Sequence, residues 1–120
     1  MKGTSMSLLH LAFSRDWNPA APAYLMSTRG LTIAEVGFLH ASTDEDQLRR
    51  VARRFYRDVT DPMLVLVISE AVLTRFGLEV RYEPADPATS DVDTELFPHI
   101  YGGDLPTAAV VDARPFTAPR

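Results

Sequence analysis

Met63-Leu64-Val65-Leu66-Val67-Ile68 is apolar without a break, and half of it is β-branched. A strand with one wet face would alternate, so a run of this kind predicts a strand covered on both faces. The rest of the chain must then supply a layer on each side. A length of 120 residues with 46% hydrophobic content suffices for that in one domain, without disulfide or metal staples.

The other elements fall around that strand. Ser7 to Phe13 reads as a strand with Leu9, Leu11 and Phe13 on one face and Leu8, His10 and Ala12 on the other. A helical turn at Ser14 to Trp17 leads into a proline-containing connector that runs through Pro22. Gly30 marks a turn, Leu31 to Val36 a short helical turn, and Gly37 to His40 a short extended piece in which Phe38 and His40 share a face. Ser42-Thr43-Asp44-Glu45-Asp46 predicts a helix start, with hydroxyls to accept orphan amide bonds and acids at the positive end of the dipole. That helix should run from Asp44 to Tyr56. Glu70 to Phe76 predicts a second, shorter helix closed by Gly77. Leu78 to Glu83 alternates as a strand ended by Pro84. Ala85 to Thr94 carries almost no apolar side chains and is expected to be a mobile segment, either a plain surface loop or a lid. Ala108 to Phe116 supplies a last strand, with Pro115 implying an edge position or a strand end. Strands outnumber helices and the one main helix lies between strands, which predicts an α+β domain.

A formal net charge of −4 argues against binding nucleic acid through the whole surface, because counterion release rewards a basic field. Arg49, Arg50, Arg53, Arg54 and Arg57 recur at helical spacing among apolar residues. They read as a solvated helix face or as a docking stripe for an anionic substrate or partner. The absence of cysteine removes any disulfide framework or thiolate nucleophile and favours a cytoplasmic location. No apolar run is long enough to span a bilayer, and Met1 to Ser5 lacks the apolar segment of a signal peptide. Residues 1–5 are expected to be a cloning remnant, with 6–120 as one domain.

Two segments carry the candidate chemistry: Gly37-Phe38-Leu39-His40-Ala41-Ser42-Thr43 and Phe97-Pro98-His99-Ile100-Tyr101-Gly102. Each sets a histidine beside glycine and aromatic residues, and half-buried imidazoles need partners for their ring nitrogens. They are expected to line one cleft with His10. Glu83 shares a strand face with Arg81, which would hold the carboxylate ionised, and lies at a strand end; a surface salt pair is the plain alternative. His99 and Tyr101 share a face next to Gly102-Gly103, although a core histidine satisfied by a carbonyl is equally a reading of His99. Ser42 and Thr43 read as capping residues ahead of catalytic ones. The three histidines show no metal-ligand spacing, Ser42 lacks a nucleophile elbow, and Gly102-Gly103 is no dinucleotide fingerprint. No metal is expected.

These residues, together with Leu8-Leu9-His10-Leu11, Arg54-Phe55-Tyr56, Arg81-Tyr82-Glu83-Pro84 and Ala109-Val110-Val111, resemble the bacterial family called domain of unknown function 952. The chain departs from that pattern at Leu9, at Ala41 and in the 85–94 loop. The resemblance implies an ADP-ribosylation-like fold: two small, bent β-sheets with one main α-helix and short helical turns around a cleft for NAD or a related nucleotide. On that analogy His10 would bond a ribose hydroxyl and Glu83 would stabilise an oxocarbenium-like charge. His40 and His99 would join Glu83 in catalysis, while Ser42, Thr43, Arg81 and Tyr101 would join His10 in binding, with Arg81 orienting Glu83. NAD would be the substrate. The alternatives are acid–base chemistry on another small molecule, such as isomerisation, cyclisation or hydrolysis, and a ligand-binding module without catalysis.

Overall fold

Uninterrupted apolar side chains from Met63 to Ile68 suit this segment only to the middle of a sheet, and that is its place. The computed structural model describes residues 7–84 and 95–117. In chain order these form β1 (Ser7–Phe13), a 3₁₀ turn (Ser14–Asp16), β2 (Ala23–Tyr24), β3 (Met26–Thr28), β4 (Leu31–Thr32), α1 (Ile33–Val36) and β5 (Leu39–His40). There follow α2 (Glu45–Phe55), β6 (Met63–Ser69), α3 (Glu70–Arg75), β7 (Glu79–Pro84), β8 (Leu96–Tyr101), β9 (Leu105–Pro106), a 3₁₀ turn (Thr107–Ala109) and β10 (Val110–Phe116). Residues 1–5 and the 85–94 loop lie outside the described residues.

β6 is the centre of a three-stranded antiparallel sheet ordered β1-β6-β10. Its two faces feed two cores. Leu66 and Ile68, with Leu8 and Ala12 of β1, pack against Leu39 and Ile100 of a second three-stranded sheet, ordered β5-β8-β7. Met63 and Val65, with Leu9 and Leu11, pack against Leu48, Val51 and Ala52 of α2. The domain is thus a mixed α+β layer structure, helix on sheet on sheet. The expected pair of sheets is joined by two further two-stranded ladders, β2-β9 and β3-β4. Ladders this short contain too few alternations to be legible as a period. Among the described residues no helix is long and apolar enough to cross a membrane.

Local chemistry explains the boundaries. Asp44, rather than Ser42 or Thr43, caps α2: its carboxylate accepts the Gln47 amide at 2.9 Å, and Gln47 Oε1 reaches back to accept the Thr43 N–H at 2.7 Å. A carboxylate offset from the helix start outcompetes the hydroxyls because it also meets the dipole. Gly77 closes the turn after α3 with φ +80°, as its position predicts. Gly102 is less replaceable. At φ +121° an added Cβ would stand 3.3 Å from the Leu78 main chain. Gly102→Ala should destabilise the domain by about 1–3 kcal/mol, measured as a drop in the urea midpoint at unchanged slope.

Candidate functional site

The outer edge of β1 is where the two sheets meet. Leu9 and Ser42 exchange main-chain hydrogen bonds of 2.8 and 2.7 Å, stitching β1 to the residues that follow β5. Along this edge, between β1, α2 and the chain from Ser27 to Ser42, lies a cavity of about 260 Å³. Its walls are chiefly apolar, from Leu9, Leu11, Val36, Leu48 and Val51, with aromatic rings from Phe38, Phe55 and Tyr56.

His10 borders the cavity, but neither of its nitrogens is available to a ligand. Its ring is buried, Nδ1 lies 2.6 Å from the His40 carbonyl and Nε2 lies 3.0 Å from the Tyr24 hydroxyl. A carbonyl can only accept, so Nδ1 carries the proton and Nε2 accepts from Tyr24. Burial pushes its pKa down to about 4 despite the bond to His40, so the ring is neutral at pH 7. His10 thus pins β1 to β5 and has no free atom with which to bond a ribose hydroxyl.

His40 is different. Its half-buried ring lines the cavity and bonds no other side chain among the described residues; its polar contact is with the Ala41 main chain, which opposes the effect of burial. The main chain holds it: Ser27 Oγ donates to the Phe38 carbonyl at 2.5 Å and accepts the His40 N–H at 3.3 Å. The ring packs edge-on against Phe97 and His99, with centroids 5.4 and 5.1 Å away. Burial first, and then the neighbouring His99, push its pKa down to about 4.

Behind His40 the paired strands β5, β8 and β7 place His40, His99 and Arg81 in register across one face. His99 is fully buried, with its ring stacked on Phe38 at 4.0 Å. Its Nδ1 lies 2.9 Å from Glu83 Oε1, and the same oxygen accepts the Tyr101 hydroxyl at 2.5 Å. Those two donors, Tyr101 foremost, hold the Glu83 carboxyl below the ordinary range, and the same carboxylate pushes the Tyr101 phenol up. Burial lowers the His99 pKa in spite of Glu83, so a neutral ring donates from Nδ1. Nε2, buried, has no hydrogen-bond partner among the described residues.

The expected cleft therefore divides. His40 lies in the cavity wall with Ser42, whose hydroxyl makes no hydrogen bond to another described residue. Glu83, His99 and Tyr101 form a hydrogen-bonded group behind it, and Phe38 touches both sides. Thr43 contributes its amide to Gln47 rather than a side chain to the cavity. Arg81 does not orient Glu83 by a direct bond: it pairs with Glu79 at 3.1 Å and lies over the Tyr101 ring at 4.3 Å. Glu79 and Glu83 both share the strand face of Arg81, and Glu79 is left to it because Glu83 Oε1 is already held by two donors. Sequence reasoning overlooked Tyr24 and Ser27, and grouped Phe38 with His40 without giving it a role. An aromatic residue just after a proline-containing connector was the available signal for Tyr24; Ser27 gave none. Among the described residues, no three His, Asp or Glu side chains converge to hold a metal ion.

The family model described as "Protein of unknown function (DUF952)" matches residues 12–113. The chain belongs to this family. The DUF952 match spans His40, Glu83, His99 and Tyr101 and begins just after His10. The crystal structure of protein CC0527 from Caulobacter crescentus is similar in fold, with a TM-score of 0.67 at 16% identity over 92% of this chain and 86% of that one. No curated protein matches. Likeness at that identity speaks for a shared fold and for nothing about the reaction.

Proposed function

We propose that this domain binds a compact small molecule in the His40 cavity and carries out acid–base chemistry on it. The observation that carries the reading is His40 itself: an imidazole with no side-chain partner, set in an apolar wall and braced from behind by a His99 ring that Glu83 holds. His40 is the proton carrier. Glu83, His99 and Tyr101 are positioning residues, fixing the surface against which the His40 ring packs. A pKa of about 4 makes His40 a weak base in this apolar wall. A ligand oxygen accepting a hydrogen bond from the protonated ring would raise that value toward neutrality, where proton transfer is most effective.

This reading favours a ligand smaller than NAD. Drug-sized ligands occupy pockets of roughly 300–1,000 Å³, and the cavity here holds about 260 Å³ with no cationic side chain in its lining for a pyrophosphate. Both His10 nitrogens are engaged, which removes the ribose contact that an ADP-ribosylation-like architecture implies. The ionised Glu83 is what remains in favour of NAD cleavage, and NAD belongs in the same assay.

The test is a melting-temperature screen of nucleotides, organic acids and neutral small molecules, followed by turnover measurements on any ligand found. His40→Ala should lower turnover by about 100-fold or more, whereas Glu83→Gln should lower turnover while leaving ligand affinity nearly unchanged. Full turnover in both variants would sink the acid–base reading. A melting shift with NAD alone, together with nicotinamide release, would replace it with ADP-ribosyl transfer.

A further inference from the structure

The charge around the cavity names a ligand class. Apart from two neutral histidines and the phenol of Tyr56, its lining contains no ionisable side chain. An ion of either sign is therefore unmatched in the interior. The mouth is different. Leu31 and Phe55 are the lining residues with large exposed apolar surface, 44% and 42%, and so mark where the cavity meets solvent.

Two guanidinium groups contact Phe55 and Tyr56 of that wall. Arg54 lies over the Phe55 ring, 5.1 Å from its centroid. Arg29 bonds the Phe55 carbonyl at 2.8 Å and lies 5.8 Å from the Tyr56 ring. Arg29 is neutralised by Asp58, whereas Arg54 has no ion-pair partner among the described residues. On the Leu31 side of the opening, Glu35 is held in the capping box of α1 by the Thr32 amide and hydroxyl. Of these groups Arg54 is the one with neither an ion-pair partner nor a capping role among the described residues, and the walls behind it are apolar.

We infer that the cavity takes an organic monoanion, its apolar body among the leucine and aromatic side chains and its carboxylate at the mouth against Arg54. This rests on the cavity being a ligand site, and it deepens that reading by naming the ligand's charge and where it lies. It also gives one member of the arginine series on α2 a task distinct from the rest: Arg50 pairs with Glu95, while Arg54 lies against Phe55 of the cavity wall.

Phenylpropionate, phenylpropanol and phenylpropylamine share one apolar body and differ in charge, so calorimetric titration of the three separates body from charge. Phenylpropionate should bind roughly twofold to fivefold tighter than the alcohol, the range an exposed ion pair supports. The amine should bind weakest. Arg54→Gln should erase the advantage of the carboxylate while leaving affinity for the alcohol unchanged, and Arg49→Gln should change neither. Salt should shrink the carboxylate's advantage and spare the alcohol. Equal binding of acid and alcohol, or an advantage that survives Arg54→Gln, overturns the monoanion inference and leaves the site reading standing. Failure of all three to bind, or alcohol binding indifferent to His40→Ala, overturns the site itself.

Discussion

Lowering the pH from 7 to 5 should cost the folded domain about 2 kcal/mol through His10 alone. The folded pKa of about 4 lies below the ordinary 6.5, so between those values the unfolded chain binds more protons than the folded one. The stabilisation from keeping this ring neutral is complete above pH 6.5, declines as the pH falls below it, and is gone under pH 4. His40 shifts in the same direction and adds to the loss. Protonating His10 would also put a second N–H against the Tyr24 hydroxyl, which would have to turn from donor to acceptor. Glu83, held below its ordinary range, contributes only at more acid pH, so the interval from 6.5 to 5 reports on the histidines. Urea unfolding at pH 7, 6 and 5, paired with NMR titration of the imidazole signals, checks this. Equal urea midpoints at pH 7 and 5, or a His10 signal titrating near 6.5 in the folded protein, would refute it.

Leu66→Ala should be the most damaging single truncation in the central strand, at about 3–4 kcal/mol. Leu66 is fully buried in the middle strand, opposite His10 on β1 and Ala113 on β10, and it faces the core shared by the two sheets. Three strands and a second sheet hold the surrounding backbone, so the hole left by the missing methyl groups has little room to collapse. Val67→Ala, on the opposite and less buried side, should cost markedly less. Chemical denaturation of both variants at pH 7 decides the matter, and equal losses would contradict the assignment of Leu66 to the tighter core.

The contrast between those residues shows what the sequence made legible. An unbroken apolar run identified β6 because burial on both faces requires it. Asp44 to Tyr56 identified α2, whose two end residues prove to be its caps. The Phe38, His40 and His99, Tyr101 groupings followed from strand alternation, and the structure places them on one sheet face. Pairing between distant segments was not legible, because nothing local in His10 says whether its nitrogens meet solvent or the His40 carbonyl. Arg81 shows the same limit: Glu79 and Glu83 are both two residues away on its strand, and only Tyr101 and His99, from another strand, settle which of them remains for the arginine. β2-β9 and β3-β4 escaped notice because their strands run for only two or three residues each.

Phe38 gives the arrangement a directional property. One aromatic ring serves at once as a piece of the cavity wall and as the cover on His99. A guest small enough to fit alongside the ring leaves the imidazole behind it sealed. A bulkier one that swings the ring aside would uncover a face of His99, whose Nε2 is without a bonding partner among the described residues. Guest size would then decide whether one histidine or two take part, so congeners of increasing girth should divide into two groups with different chemistry rather than follow a smooth trend.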